Sequence, residues 1–375
     1  MKIAYLARSA IPSANAHAVQ IVKMCEAFAK LGHEVGLFMV RGDGDPANVY
    51  ERYGVENRFR LIAYPGKLGR FQKLRFVMWL FRSSFFRQAD LFYGRDITSV
   101  TAASLLGKPV VYEAHSAPRT GSTRWRLMRW LFARPNFSHL VCITSTLKEL
   151  YREQFPSLAE KPIVVAPSAA GEQMMPAEEI SWPGRDGAVQ VGFAGRPYPG
   201  KGIEMIIDAA RELPGLGFHV VGAGRDDLHW IDADVPSNVH FHGYQPHSRL
   251  PCYFKHFDIA VAPYGTRVLN SSRKESSATT SPLKLAEYMA AGLPTIVSDL
   301  PGIRDFLPEG GEGACVLIPP GDGKAFVAAL AQLAEDAGLR DRMGKAAREL
   351  YLERHTITAR AKLVLRPIRI DGRPA

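Results

Sequence analysis

The sequence of 375 residues has few of the features that cross-link a small secreted fold or hold a chain in a membrane. Its four cysteines lie far apart with no CxxC or Cys/His spacing, which argues against a disulfide framework and against structural zinc. No run approaches the roughly 18 consecutive apolar residues of a spanning helix. The apolar stretch after Met1 is too short for a signal peptide. We therefore expect a cytoplasmic protein that crosses no membrane.

Two segments almost lack acidic residues. Residues 66–95 carry seven Lys or Arg against one Asp, and residues 119–135 carry five Arg and no acid. Two interpretations are open: surface helices that bury their aromatic side chains in the core, or an amphipathic surface that lies on anionic lipid. No nucleic-acid-binding motif is recognisable, so nucleic acid is not an expected partner. The aromatic residues interleaved with the charges are Phe71, Phe76, Trp79, Phe81, Phe85, Phe86, Trp125, Trp130 and Phe132.

What the sequence has in abundance is short apolar strands that alternate with helices. A first series runs from KIAYLA to PIVVAPS and a second from AVQVGFAGR to LPTIVSD. This alternation predicts an α/β fold of two Rossmann-like, doubly wound domains that face each other across a cleft, with the ligand at the carboxyl ends of the strands. We predict an acceptor-side domain over residues 1–170, a linker over 171–187 and a nucleotide-sugar-binding domain over 188–350. Residues 351–375 are predicted to form a C-terminal helix and tail that packs back on the first domain.

The loop that follows the first strand of the second series has almost the pattern of a phosphate-binding P-loop. Residues 195–202 read GRPYPGKG, but Gly202 stands where a Ser or Thr hydroxyl would hold Mg²⁺. Two prolines within the loop also remove backbone N–H groups that would cradle phosphates, so an ATPase is disfavoured. Arg196 and Lys201 remain, two cations on a stiff loop that suit a diphosphate. For the loop alone, a solvated basic turn is the alternative.

A second candidate phosphate site is the helix start in SPLKLAEYM. Ser281 is a good N-cap and Pro282 suits the first helical position, where the free N–H groups and the helix dipole favour an anion. Leu283 and Lys284 follow, so a cation lies in the same turn. Glu287 comes one turn past Leu283 on the same helix face. Its carboxylate could bind a ribose diol, or it could be a plain charge on the helix surface.

Together these two loops resemble the family-4 retaining glycosyltransferases of the GT-B fold, and the resemblance covers most of the chain. It implies transfer of a sugar from a nucleotide-diphosphate sugar to a hydroxyl acceptor with retained anomeric configuration, without an essential metal and without a cofactor. Carried over by position, Arg196 and Lys201 would be catalytic cations that hold the donor diphosphate. The Ser281–Lys284 turn would donate backbone N–H groups to the phosphates, and Glu287 would bind the ribose.

The resemblance also assigns residues in the first domain and shows two departures. His115, at the end of VVYEAHS, matches the family's histidine near the transferred sugar, although a loop histidine with a purely structural role is the alternative. Asn15 and Ala16 lie in the first loop, where the family places backbone against donor and acceptor; the usual glycine pair is absent there. Thr279 stands where the family has the first glutamate of its paired-glutamate motif. A hydroxyl therefore replaces that carboxylate at the donor sugar, or the contact is omitted.

Two other functions stay open at this point. A sugar-nucleotide epimerase of the same fold would use acid/base carboxylates and need no acceptor. A catalytically inactive protein that binds a membrane surface would be consistent with Thr279. For a transferase, the basic aromatic segments favour a polyprenyl-linked glycan as acceptor, in cell-envelope polysaccharide or glycolipid synthesis at the inner face of the membrane.

Overall fold

The chain divides into two units in the computed structural model: Met1–Ser168 with Ile357–Ala375, and Ala169–Thr356. Among the described residues, no helix combines the length and the apolar character needed to cross a membrane. The structure describes residues 1–13, 16–42, 45, 48–66, 72–171, 179–183, 187–231, 234–269, 275, 277–280, 283–307, 311–370 and 373–374.

The first unit is built on a parallel sheet, seven-stranded within its described residues. Its strands are β1 (Lys2–Ile11), β2 (Glu34–Arg41), β3 (Arg60–Tyr64), β4 (Leu91–Gly94), β5 (Val110–Ala114), β6 (Phe137–Cys142) and β7 (Ile163–Val165). Their order across the sheet is β3-β2-β1-β4-β5-β6-β7, so the direction of winding reverses between β1 and β4. The helices of this part of the chain are α1 (Ala16–Lys30), α2 (Val49–Tyr53), α3 (Gln72–Arg82), α4 (Ser84–Arg87), α5 (Ile97–Ala103), α6 (Thr123–Phe132) and α7 (Ser145–Gln154).

The second unit repeats this plan with a parallel sheet of six strands in the described residues. Its strands are β8 (Gln190–Ala194), β9 (Gly217–Val221), β10 (Val239–Phe241), β11 (Ile259–Ala262), β12 (Thr295–Ser298) and β13 (Cys315–Ile318). The order is β10-β9-β8-β11-β12-β13, with the reversal between β8 and β11. Its helices are α8 (Ile203–Glu212), α9 (Leu250–Phe254), α10 (Leu283–Ala290), α11 (Pro301–Arg304), α12 (Gly323–Glu335) and α13 (Ala337–Leu350).

The predicted α/β class with two Rossmann-like sheets is confirmed. Several strands are buried along nearly their whole length: in β2 the six residues between Glu34 and Arg41 are buried, and every residue of β8 and β11 is buried. Such continuous apolar strands form parallel sheets because helices cover both faces. Each reversal of strand order opens a crevice at the carboxyl ends of two neighbouring strands, and open α/β sheets bind their ligands there.

The chain ends in the first unit. After α13, a π-helical turn (Tyr351–His355) leads to α14 (Ile357–Leu365), which packs against α1. The short strands β14 (Arg369–Ile370) and β15 (Arg373–Pro374) then pair antiparallel. The segment assigned from sequence to the C-terminal helix and tail therefore begins within the second unit and passes to the first at Ile357.

Most of the aromatic side chains in the two basic segments belong to the core. Phe76, Phe85, Phe86 and Phe132 are buried. Trp79, Phe81 and Trp125 are partly buried against the same core, and Phe71 lies outside the described residues. Trp130 is the exception among those described, with 42% of its surface exposed. The interpretation as lipid-facing is therefore wrong for the four buried phenylalanines and stays a prediction for Phe71 and Trp130.

A stack of rings fixes Trp182, which comes from the segment predicted as linker, on the second sheet. The Trp182 ring lies 4.0 Å from that of His219, 4.6 Å from that of His256 and 5.0 Å from that of His242, centre to centre. His219 is fully buried, and its Nε2 lies 2.6 Å from Oε1 of Gln190. Its Nδ1 lies 3.0 Å from Nε2 of His242. A neutral His219 fills both contacts by donating from Nε2 and accepting at Nδ1.

We expect His219 to make the second unit sensitive to acid. Burial, and then the neighbouring histidines, lower the pKa of His219 to about 3. Below about pH 6.5 this histidine is therefore protonated in the unfolded chain but not in the folded chain. As the pH decreases through this range, the free energy of unfolding decreases. Between pH 7 and pH 5 this residue should cost about 2 kcal/mol of unfolding free energy. Urea unfolding at both pH values should show a smaller difference for His219→Gln.

The matched control for this measurement is His229→Gln, because His229 is exposed. That variant should keep the pH dependence of the wild type. An unchanged pH dependence in His219→Gln would show that the stack is not the acid-sensitive element.

Candidate functional site

The loop after β8, residues 195–202, packs tightly against the loop after β11, where the strand order of the second sheet reverses. Two glycines allow this approach. A Cβ on Gly200 would lie 1.8 Å from the carbonyl oxygen of Arg267, and one on Gly202 would lie 2.0 Å from that of Pro263. Both glycines have positive φ, at 80° and 89°. Only glycine fits both the space and the backbone conformation, so the Gly-x-Gly of this loop serves loop packing.

Two lysines meet at one tyrosine ring in this region. Nζ of Lys201 lies 4.9 Å from the ring centre of Tyr264, and Nζ of Lys284 lies 5.7 Å from it. Lys284 also places its Nζ 3.7 Å from the ring centre of Phe193. That Nζ is buried and has no hydrogen-bond partner among the described residues. Within the same part of the chain, neither lysine has an ion-pair partner, so the two positive charges are uncompensated.

The electrostatics of these lysines favour an anion. Burial lowers the pKa of Lys201 to about 8. The pKa of Lys284 lies well below its usual value, first because of burial and then because of the charge of Lys201, while Glu287 acts in the opposite direction. An anion in contact with both ammonium groups would offset desolvation and repulsion together. The arrangement is suited to phosphate oxygens.

The other residues assigned to the donor from sequence have different surroundings. Arg196 is exposed within the loop after β8, and Thr279 ends a short 3₁₀ turn and is partly buried. Leu283 is partly buried and begins α10. Ser281 and Pro282 lie outside the described residues, so their predicted anion contacts stay predictions.

Glu287 has a partner that the sequence gave no means to find. The carboxylate is buried on α10, and its Oε1 lies 2.5 Å from Nε2 of His247. Glu287 is therefore not a charge on the solvent-facing surface of the helix. His247 begins a 3₁₀ turn forty residues earlier, in a polar stretch without a recognisable pattern. Its role becomes visible only when α9 and α10 are packed.

In the first unit, a buried carboxylate gathers four donors at the carboxyl ends of β4 and β5. Oε1 of Glu113 lies 2.9 Å from Nη2 of Arg95, 2.8 Å from Nη2 of Arg360 and 2.7 Å from Nε2 of His115. Its other oxygen accepts a hydrogen bond from the hydroxyl of Tyr93. The two guanidinium groups outweigh burial and hold the pKa of Glu113 well below its usual range.

His115 takes its protonation state from this cluster. Burial, together with the charge of Arg95, lowers the pKa of His115 to about 4, so the ring is neutral near pH 7. Because the Glu113 carboxylate can only accept, Nε2 of His115 carries the hydrogen, and Nδ1 keeps its lone pair. The structure thus leaves one acceptor atom on this ring. Ala16 begins α1 in the same unit, and Asn15 lies outside the described residues.

Arg95, Glu113 and Arg360 were missed by reasoning from sequence. One signal was present: a glutamate inside the apolar strand VVYEA must be paired, since an isolated buried charge is costly. Its partners could not be identified, because Arg95 is 18 residues away and Arg360 is 247 residues away. Arg360 is also held by backbone, with Nε 2.8 Å from the carbonyl oxygen of Pro167.

Comparison with known proteins gives family matches in both halves of the chain. The model for Glycosyltransferase Family 4 matches residues 17–170, and the model for Glycosyl transferases group 1 matches residues 188–336. The structure of Anabaena HepE in complex with UDP and glucose has a TM-score of 0.69 at 16% identity, over 97% of this chain and 98% of that one. At this level of identity the likeness shows the fold.

Two curated relatives match over part of their length. The lipopolysaccharide core biosynthesis glycosyltransferase LpsE of Rhizobium meliloti is 30% identical over 159 residues, 41% of this chain and 42% of LpsE. The sulfoquinovosyl transferase SQD2 of Arabidopsis thaliana is 30% identical over 152 residues, 40% of this chain and 27% of SQD2. The matched region thus spans less than half of either relative.

We expect Glu113→Gln to destabilise the first unit strongly. The amide leaves two buried guanidinium groups without a counter-charge, and breaking a buried ion pair in this way costs about 3–5 kcal/mol. Urea unfolding should show the loss as a lower midpoint. Glu149→Gln is the control, since Glu149 pairs with Arg152 on an exposed helix face and should change little. Equal midpoints for the two variants would contradict this account of the cluster.

Proposed function

Because this chain belongs to the family-4-type glycosyltransferases of the GT-B fold, we propose that it transfers a sugar from a nucleotide-diphosphate sugar to a hydroxyl group of a glycan acceptor. We propose retained anomeric configuration and no essential metal ion. The observation that carries this proposal is Lys201, a largely desolvated lysine of the loop after β8 that has no ion-pair partner among the described residues. A diphosphate leaving group supplies the negative charge that this lysine lacks.

The proposed mechanism depends on stabilising the leaving group. As the anomeric C–O bond breaks, negative charge grows on the diphosphate, and fixed cations lower the energy of that state. Lys201 and Arg196 are the residues we assign to this charge. The departing phosphate oxygen then takes the proton of the acceptor hydroxyl on the same face of the sugar. The new glycosidic bond forms on the face that the nucleotide leaves, so the configuration is retained.

The buried carboxylates of the two sites support a mechanism without a carboxylate nucleophile. Glu113 accepts hydrogen bonds from two arginines, a tyrosine and a histidine, and Glu287 is bound to His247. Neither is an unpaired nucleophile. In the first unit, Nδ1 of His115 can accept a hydrogen bond from a hydroxyl of the transferred sugar. Glu287 is assigned to the ribose, with His247 fixing the carboxylate.

The names of the relatives support a cell-envelope acceptor. LpsE is named for lipopolysaccharide core biosynthesis, and HepE was solved with UDP and glucose. We therefore propose a lipid-linked or polyprenyl-linked glycan as the acceptor and a nucleotide sugar as the donor. Thr279, in place of the family's first glutamate, would leave the donor sugar one carboxylate contact short.

A donor screen tests the proposed function. Nucleotide release from one nucleotide sugar, dependent on an added acceptor, is the expected result; sugar isomerisation without an acceptor would indicate an epimerase. We expect Arg196→Ala and Lys201→Ala to lower turnover about 30- to 1,000-fold, as for loss of about 2–4 kcal/mol from one electrostatic donor. Lys324→Ala, an exposed residue of α12, should leave turnover unchanged. Turnover within about tenfold of wild type in both loop variants would refute the assignment.

A basic surface of the first unit gives a specific reason to propose contact with an anionic membrane surface. On α3, Leu74 and Met78 are 67% and 45% exposed, between the exposed basic residues Lys73 and Arg82. Helix α5 packs against both α3 and α6, and α6 carries the exposed Trp130. Apolar side chains ringed by cations enter the headgroup layer of anionic lipid. This surface is smaller than the sequence suggested, since most aromatic side chains are buried.

Vesicle flotation tests this contact. Recovery with vesicles that contain phosphatidylglycerol should exceed recovery with phosphatidylcholine alone, and the double variant Leu74→Ser with Met78→Ser should lose about half or more of it, since each apolar side chain contributes roughly 1 kcal/mol or more on insertion. Leu352→Ser is the matched control, because Leu352 is 55% exposed in the second unit. Equal recovery with both kinds of vesicle would remove the membrane proposal and leave the transferase proposal standing.

A further inference from the structure

We infer that the side chain of Lys284 is a second ammonium ligand of the donor diphosphate, beside Lys201, and that donor binding at this pair is coupled to proton uptake. This inference rests on the proposed function and deepens it. From sequence, the turn that contains Lys284 was expected to bind the donor through its backbone N–H groups, with the lysine as a cation in the same turn and no assigned contact for its side chain. The structure places the Lys284 side chain at the loop that carries Lys201.

The first argument is the position of the ammonium group. Nζ of Lys284 lies 3.2 Å from where a Cβ of Gly195 would stand, and Gly195 has a φ of +140°. The glycine that opens the loop therefore leaves the space that Nζ uses. The side chain of Lys284 extends from the first turn of α10 to the end of β8. Strand β12, which follows α10 in the chain, lies two positions from β8 in the sheet. A side chain held there reaches the same phosphates as the loop itself.

The second argument is the lack of a counter-charge. Nζ of Lys284 is buried, and among the described residues it neither forms an ion pair nor donates a hydrogen bond. The carboxylate that influences it is Glu287, whose Oε1 is already bound to His247. A buried ammonium without hydrogen bonds is costly, so the site is complete only with an anion in it.

The third argument is that the two tyrosines around the pair cannot supply negative charge near neutral pH. Both ammonium groups lie near the ring of Tyr264, which is buried. Burial raises the pKa of Tyr264 above the usual value for tyrosine. Tyr288, on the same helix as Lys284, donates its hydroxyl to the backbone and also has a raised pKa, chiefly through burial. Arg196 adds a further positive charge to the loop. Bound phosphate is the chemistry that satisfies this environment.

Proton uptake follows from the same geometry. In the protein without a bound anion, burial and mutual repulsion favour loss of a proton from the pair. A bound dianion raises both pKa values toward or above their usual range, so the complex holds more protons than the free protein in the interval between the free and bound pKa values. The effect is present above the lowered pKa values and disappears in acid, where both lysines are already protonated.

Calorimetry on the full-length protein tests the inference without any need for turnover. UDP and GDP are titrated at about pH 9, where their diphosphate groups are fully ionised, in two buffers of different ionisation enthalpy. The difference in observed heat gives the number of protons taken up. We expect uptake near one proton or more for the wild type at pH 9, and less at about pH 6.

Lys284→Met keeps a stem of similar length against Phe193 and removes the charge. It should bind the tightest probe about 10- to 100-fold more weakly, as for loss of one charge-assisted hydrogen bond, and take up fewer protons. Lys201→Met should keep the part of the uptake that belongs to Lys284. Lys345→Met, an exposed lysine of α13, is the matched control and should bind like the wild type.

The outcomes separate the inference from the proposed function. Unchanged affinity in a folded Lys284→Met, or no uptake in the wild type, shows that Lys284 only packs on its aromatic rings, and the transferase proposal stands. If Lys284→Met does not fold, Lys201→Met provides the test. A Lys201→Met protein that takes up no protons on binding overturns the inference. Failure of the wild type to bind any probe contradicts both proposals.

Discussion

The first unit depends on the ion pairs that surround one buried carboxylate. Glu113 lies within an apolar strand, and the cost of burying its charge is offset because Arg95 and Arg360 both reach the same oxygen. Arg360 comes from α14, so this interaction holds the end of the chain in the unit that the first strand began. The same oxygen accepts from His115 and thereby decides which ring nitrogen is left to act as an acceptor. Stability and the protonation state of a candidate active-site residue thus have one cause.

The second unit presents the opposite electrostatic situation. Among the described residues there, the ammonium groups of Lys201 and Lys284 have no ion-pair partner, and the carboxylate of Glu287 is engaged by His247. A site whose own charges balance has no need of a ligand, whereas Lys201 and Lys284 are stabilised by one. The glycines at 200 and 202 serve this arrangement indirectly, since they let the loops after β8 and β11 approach each other closely enough to place both lysines at Tyr264.

Reasoning from sequence succeeded where the signal was local and failed where it depended on distant packing. The alternation of buried strands with helices predicted two doubly wound sheets, and the strand orders agree with that prediction. The interleaved aromatic residues were ambiguous because periodicity alone does not tell which side of a helix meets the core. The packing of the helices shows that Phe76 and Phe86 are buried in the core and that Trp130 is exposed. His247 and Arg360 carried no local pattern at all.

The sequence by itself determined the fold class, the family resemblance and the residue types at the loop after β8, because strand burial, glycine and proline act through neighbours along the chain. It also placed a lysine in the first turn of α10. Only the tertiary structure decided which charges meet. Lys284 lies 83 positions beyond Lys201 and Arg360 lies 247 beyond Glu113, and interactions over such separations depend on how strands and helices pack rather than on spacing. Burial then set the pKa values, since desolvation is a property of the folded surroundings and not of the residue.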